Sequence, residues 1–295
     1  MNTKEMTDKI AAGQGFIAAL DQSGGSTPKA LAGYGVSEDE WNGEDEMFAK
    51  IHDMRARVIT SPSFASGKVI GAILFEKTMD GEVDGKPTAD ALKDRGVVPF
   101  IKIDQGLADE ENGVQLMKPL TKLDALLEKS AAKGMFGTKE RSVIKSANPA
   151  GIAAIVAQQF EVGNRVIDAG LMPILEPEYD IKAADRAEGE DILKAEILKN
   201  LETLADDRQV MLKLSIPVKA NLYKELVDHP KVLAVVALSG GYSTEEACAE
   251  LAKNDGMIAS FSRAMLQDLR AQQSDEEFDA TLGKAIDSIC AASVA

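Results

Sequence analysis

Lys213 stands alone in the apolar run Val210-Met211-Leu212-Lys213-Leu214-Ser215-Ile216. The run reads as a buried strand, where an unpaired ammonium is costly. Two escapes are open to it. Either a carboxylate pairs with the lysine, or its pKa falls and it becomes a neutral amine, a nucleophile toward carbonyls. A second apolar run, Met172-Pro173-Ile174-Leu175-Glu176-Pro177-Glu178, closes on two acids that share one face at period two. Charges at the ends of apolar strands point to chemistry more than to packing.

The same placement recurs along the chain. Asp21 closes the run Gly15–Asp21 and is followed by Gln22-Ser23-Gly24-Gly25-Ser26. Glu76 closes Val69–Glu76, and Lys102 and Asp104 lie in Pro99–Asp104. Lys139, Arg141 and Lys145 sit around Arg141–Lys145, all on one side of a strand. The run Val232–Gly241 ends in Ser239-Gly240-Gly241, and Gly256–Arg263 carries Ser260, Ser262 and Arg263. A lysine at one strand end is ordinarily solvated or salt-bridged. The bland reading has to be repeated strand after strand, and that convergence weighs against it.

These runs, with Leu171–Glu178 and Val210–Ser215, make eight candidate strands, and helical patterns fill the gaps between them. Pro119–Lys129 is one, and Pro149–Ala169, with Asn148 as N-cap and Pro149 at the first helical position, is another. Ile192 to Leu201, Val218–Val227, Thr244–Lys253 and the stripe Phe278, Leu282, Ile286, Ile289 mark the rest. The long connection Gln22–Lys68 is expected to hold a helix around Met47–Val58. Strand and helix alternating eight times predict the α/β class and a (β/α)8 TIM barrel over residues 1–295, with extra N- and C-terminal helices. A doubly wound open sheet is the alternative. In a barrel, the C-terminal strand ends are where catalytic groups gather.

The 295 residues are 45% hydrophobic and 27% charged, an ordinary globular composition. The net charge of −15 disfavours nucleic acid or an anionic membrane as partner. An anionic substrate would need a local basic pocket. No signal core or membrane-length apolar segment is visible, and two cysteines, Cys248 and Cys290, suit a reducing compartment, so a cytoplasmic protein is expected. The two histidines, His52 and His229, are not clustered, which disfavours a zinc site. Leu238-Ser239-Gly240-Gly241 is similar to a string of ATP-binding cassette proteins, but no Walker A loop accompanies it. It reads better as a phosphate cradle after strand seven, with Arg263 as the charged partner.

With these residues placed, the chain resembles the class I fructose-1,6-bisphosphate aldolases, in their shorter bacterial form. The likeness runs from about Phe16 to Gln267. It rests on Ala19-Leu20-Asp21-Gln22-Ser23, Ile101-Lys102-Ile103-Asp104, Lys139-Glu140-Arg141, Leu175-Glu176-Pro177-Glu178, Lys213, Leu238-Ser239-Gly240-Gly241 and Ser260-Phe261-Ser262-Arg263. The resemblance implies a Schiff base at Lys213 and proton transfer by Glu176. It implies that Asp21 contacts the hydroxyl beside the scissile bond, and that Glu178 and Lys139 set the charge around the imine. Lys102 would touch substrate. Ser239, Gly240, Gly241, Ser262 and Arg263 would hold one phosphate, with Arg141 adding to the basic cluster. Ser26 and Lys29 are candidates for the other.

The resemblance also implies phosphorylated sugar substrates and no metal or organic cofactor, and it leaves a homo-oligomer open. The chain departs from the longer members in lacking a terminal tyrosine, in Gln22 where they carry an acid, and in Ser262 where they have glycine. Lys139 and Lys145 compete for the inward lysine position. Other Schiff-base barrel aldolases, such as a transaldolase, and a sugar-phosphate sensor that has lost catalysis are the rival readings.

Overall fold

The computed structural model describes residues 1–295. Eight parallel strands form the barrel: β1 (Phe16–Leu20), β2 (Val69–Leu74), β3 (Val98–Lys102), β4 (Gly137–Ile144), β5 (Met172–Tyr179), β6 (Val210–Ser215), β7 (Val232–Leu238) and β8 (Met257–Ala259). Each strand pairs in parallel with the next, from β1 to β8. Apart from β4, the strands are largely apolar on both faces because the sheet is covered inside and out. Helices lie between the strands, and the result is a (β/α)8 TIM barrel.

The seam between β8 and β1 carries one backbone bond, Ala19 N–H to the Phe261 carbonyl at 3.3 Å. A side chain completes it. Ser293 Oγ accepts from Ala259 N at 2.8 Å and donates to the Gly15 carbonyl at 2.7 Å. Ser293 ends the C-terminal helix Asp275–Ser293, so that helix stitches the barrel shut. At the other terminus, α1 (Thr3–Ala12) starts on an Asn2 capping box and turns Met6 and Ile10 into the barrel floor. There they meet Ile17, Ile73, Phe100, Ile174, Met211, Val236 and Ile258. A larger apolar layer separates the strands from the surrounding helices.

Four further helices matter to the site: α2 (Ser26–Tyr34), α3 (Gly43–Thr60), α4 (Leu123–Ala132) and α5 (Pro149–Asp168). Asn148 caps α5 as expected, accepting from Gly151 N at 3.0 Å. The helix α6 (Arg186–Thr203) follows β5. Within the expected helix Val218–Val227 only Lys224–Val227 is helical.

Among the strand boundaries that differ from expectation, three move residues of interest. β4 begins at Gly137, four residues before the expected Arg141, because its outward side chains are Thr138, Glu140 and Ser142. With polar residues on both faces, no apolar run marks that start. Gly137 is also where β4 presses closest: a Cβ there would lie 2.1 Å from the Met172 carbonyl and 2.9 Å from the Phe100 ring. β2 stops at Leu74, and Glu76 opens a short helix whose carboxylate meets Lys129 of α4 at 3.0 Å, outside the barrel. β8 stops at Ala259, and Arg263 begins a one-turn helix instead of closing the strand.

Candidate active site

Strand alternation turns Lys102, Asp104, Lys139, Arg141, Glu176, Glu178 and Lys213 toward the barrel axis. They follow Phe100, Gly137, Ile174 and Met211 at period two. Their centre is Lys139. Its Nζ lies 2.7 Å from Asp21 Oδ2, 2.9 Å from Glu176 Oε2 and 3.8 Å from Asp104 Oδ2. Glu176 reaches Lys213 with its other oxygen, at 3.0 Å from Nζ. The lysines and Glu176 are at most 5% exposed at the side chain, so these charges exist only as a mutually neutralising set. Of the two escapes open to Lys213, the resting structure takes the first: a carboxylate pairs with it.

Lys145 resolves the lysine ambiguity. It is partly exposed beyond β4, with Nζ 3.9 Å from Asp180, while Lys139 is buried at the centre.

The electrostatics follow from this packing. Burial alone would raise the Asp21 carboxyl, but Lys139 and then Lys213 overcome it and hold Asp21 well below the usual range. The same contest, burial against Lys139 and Lys213, leaves Glu176 lowered. Burial would depress Lys139, yet Asp21, Glu176 and Asp104 together push it far above an ordinary lysine. Lys139 is therefore a fixed cation, and Asp21 and Glu176 are ionised bases at neutral pH.

The backbone that carries these groups is braced from behind. Gln159 of α5 donates to the Glu140 carbonyl at 3.2 Å and to Ser142 Oγ at 2.8 Å, and accepts from Glu176 N at 3.2 Å. One amide thereby ties the strand of Lys139 to that of Glu176. Between β5 and β6 the register pairs are Ile174 with Met211 and Leu175 with Leu212. Above them Ser215 Oγ takes over, accepting from Tyr179 N at 3.0 Å and donating to its carbonyl at 2.7 Å. Glu176 and Lys213 face each other across this interval.

The next level toward the mouth holds the remaining charged pairs. Arg141 Nε lies 2.5 Å from Glu178 Oε2, and burial of the guanidinium is outweighed by Glu178, which raises it. Lys102 Nζ lies 2.7 Å from Asp104 Oδ1. Beyond them the loop after β7 turns at Ser239, with Tyr242 N donating to the Ser239 carbonyl at 3.0 Å. Gly240 has φ +59°, and a Cβ there would lie 2.5 Å from Ile181. Arg186 of α6 fixes this loop through Tyr242 Oη at 3.1 Å, while also bonding the Ile216 carbonyl and Glu190.

A surface cavity of about 530 Å³ lies between α4 and α5 around Asp124, Glu128 and Arg165. It is on the outer helices, away from the converging lysines and acids.

A model of the class-I fructose-bisphosphate aldolase family matches residues 3–225. The chain belongs to that family. Its barrel is similar to the fructose-bisphosphate aldolase of Plasmodium falciparum, with a TM-score of 0.75 at 19% identity, covering 99% of this chain and 94% of that one. More distant likenesses are a probable 3-DHS dehydratase, AsbF, from Bacillus anthracis (TM-score 0.47, 10% identity, 92% and 98% covered). Another is a sugar phosphate isomerase/epimerase from Parabacteroides distasonis (0.44, 12%, 93% and 96%).

Within this aldolase barrel, the structure brings Asp21, Lys139, Glu176 and Lys213 into one contact network. Glu178 does not share it. Its carboxylate is committed to Arg141, and that pairing also engages the arginine expected to meet phosphate. Ser26 is likewise engaged, its hydroxyl accepting from Ser23 N at 3.0 Å and donating to the Ser23 carbonyl at 2.9 Å. Lys29 is exposed on α2. Arg263 is exposed beside the Ser260–Ser262 stretch, and its guanidinium makes no ion pair or hydrogen bond within the protein.

Two participants have no role assigned from the sequence alone, although Asp104 was placed at the end of its strand. Asp104 lies against both Lys102 and Lys139, and its period-two spacing from Lys102 was the available signal. Arg55 of α3 is wholly buried beneath the loops after β1 and β2, and no local pattern marked it.

Proposed function

We propose that this aldolase cleaves fructose 1,6-bisphosphate reversibly to dihydroxyacetone phosphate and glyceraldehyde 3-phosphate through a Schiff base on Lys213. The observation that carries the reading is the contact of Lys213 Nζ with Glu176 Oε1 at 3.0 Å, inside a network anchored by Lys139. Glu176 is the group in place to take the ammonium proton of Lys213. The amine then adds to the substrate ketone, and Glu176 returns a proton to the hydroxyl that leaves as water. The resulting iminium is an electron sink. Asp21, ionised, accepts the proton of the substrate hydroxyl beside the scissile bond. The carbon–carbon bond breaks with its electron pair passing to the iminium, and the aldehyde departs from an enamine. Protonation of the enamine and hydrolysis of the imine regenerate Lys213.

Lys139 has a supporting part in this scheme. Its fixed positive charge steadies the two carboxylates as their partners change. The acids that could otherwise attract a divalent cation converge on this ammonium instead, which supports a metal-independent reaction. For the phosphates, Arg263 is a cation at the mouth without an internal partner, and the Ser239–Gly241 turn lies on the neighbouring strand end. Ser26 and Lys29 remain our candidates for the second phosphate. The reaction belongs to central sugar metabolism, glycolysis or gluconeogenesis, in the cytoplasm. No helix is long and apolar enough to cross a membrane.

Borohydride reduction in the presence of dihydroxyacetone phosphate, followed by peptide mapping, tests the reading. A covalent adduct on Lys213 is expected. No adduct, or one mapped to another lysine, defeats the mechanism. Activity should persist in chelator, and fructose 1-phosphate should be cleaved much more slowly than the bisphosphate.

A further inference from the structure

Arg55 lies on α3 with no exposed surface and no carboxylate in contact. A buried guanidinium without an ion-pair partner is expensive to keep. Burial draws its pKa down to about 10, opposed by the nearby Asp21, so it stays a cation at neutral pH. Its donors go to Thr78 Oγ1 at 2.7 Å, the Gln22 carbonyl at 2.5 Å and Gln22 Oε1 at 3.2 Å. All three acceptors belong to the segments that follow β1 and β2 at the catalytic end of the barrel.

The bonds have a direction. A guanidinium only donates, so the Gln22 side-chain oxygen must face it. On the other side, Gln22 Nε2 meets the Ala19 carbonyl at 3.3 Å, which only accepts. The amide orientation is therefore forced from both ends. The same Nε2 donates to Ser262 Oγ. Ser262 thus spends a lone pair on Gln22, and its own proton has no acceptor within the protein. Ser262 directly precedes Arg263, a cation at the mouth without an internal partner.

We propose that Arg55 and Gln22 are positioning residues that present the Ser262 hydroxyl proton to the substrate phosphate held beside Arg263. This rests on the phosphosugar reading above. It assigns Ser262 a side-chain donor, beyond the backbone N–H that any residue there could offer. The polarity runs one way: Arg55 to Gln22, Gln22 to Ser262, Ser262 to phosphate. Arg55 and Gln22 touch no substrate and act through Ser262.

Gln22→Glu keeps the shape and the Arg55 contact but reverses the last internal link. A carboxylate accepts from Ser262, so the hydroxyl proton turns inward and a lone pair faces the phosphate. The readout is competitive inhibition of bisphosphate cleavage by inorganic phosphate. Loss of one hydrogen bond to a charged group weakens binding roughly 10-fold. Gln22→Glu and Ser262→Ala should each raise the phosphate Ki by about 10-fold, and the double variant should also lie near 10-fold. Independent effects, multiplying to roughly 100-fold in the double variant, would overturn the proposal, because a mere charge effect at position 22 does not need the hydroxyl. So would an unchanged Ki in either single variant. If the unsubstituted enzyme traps dihydroxyacetone phosphate at Lys213 but phosphate does not compete, this inference falls and the aldolase reading stands. If it does not trap, the reading itself falls.

Discussion

The floor and the mouth of the barrel are made by the same strands, and two residues separate one from the other. Phe100 is followed at period two by Lys102, Ile174 by Glu176, Met211 by Lys213 and Ile258 by Ser260. That step is about 7 Å along a strand. Below it the side chains are apolar, and Met6 and Ile10 of α1 seal the end. Above it, Lys102, Lys139, Glu176 and Lys213 are charged and paired. The floor could lose one member and keep its character, since dispersion contacts are many and small. The charged level cannot, since removing one ion strands its partner in a dry interior. The floor therefore governs stability and strand position, whereas the charged level governs chemistry and depends on the floor for its geometry.

The widest separation between the two levels should come from Lys213→Met. Cleavage is expected to fall by roughly 10⁴-fold or more, with no borohydride-trapped adduct, because the only nucleophile is gone. Its counterpart on the floor, Phe100→Ala, should cost about 3–5 kcal/mol in denaturant unfolding. It should leave kcat close to normal at a temperature where the barrel is folded. A large kcat loss in the folded Phe100 variant would show that the two levels are not separable.

Glu176→Gln comes next, with turnover expected to slow by roughly 10²–10⁴-fold. Phosphate inhibition should be nearly unchanged, since Glu176 lies below the phosphate loops. Steady-state kinetics with inorganic phosphate as inhibitor checks both halves of the statement.

A smaller effect concerns acid. Asp21 and Glu176 have folded-state carboxyls held below their ordinary values of 3.8 and 4.5. Their stabilisation is full above those values and is lost as pH falls toward the folded ones. Melting temperature followed from pH 5 to pH 2 should drop more steeply in the unsubstituted protein than in Asp21→Asn. Parallel curves would mean that the network adds no acid-labile stability.

The smallest change is expected at Glu140, outward-facing and fully buried between β4 and α5. Burial raises its carboxyl well above the ordinary 4.5, against a bond from Thr138. A raised carboxyl contributes least as pH climbs above its unfolded value. Glu140→Gln should be near neutral in stability at pH 4 and stabilising at pH 8, as read from denaturant midpoints at the two pH values.

How much of this could be read beforehand differs residue by residue. Lys213 was legible because one charge interrupts an apolar run, and burial of that run follows from its composition. Glu176 was legible for the same reason. The start of β4 was not, because Thr138, Glu140 and Ser142 give the outer face of a buried strand a polar look, and Gln159 of another element satisfies part of it. The pairing of Arg141 with Glu178 was also hidden. It depends on the β4–β5 register, in which Arg141 lies opposite Glu176 and Val143 opposite Glu178. Arg55 sits in a helix whose pattern assigns no reason for a buried cation.

The alternation of strands and helices, the apolar strand interiors and the residue types at the strand ends were determined by the sequence, because periodicity and burial are local properties of a chain. Which acid meets which base was decided by the tertiary structure. So were the choice of Lys139 over Lys145, the orientation of Gln22 and the closure of the seam by Ser293. Each depends on distances between segments far apart in the chain, and a contact of 3 Å is fixed by packing that no single segment encodes.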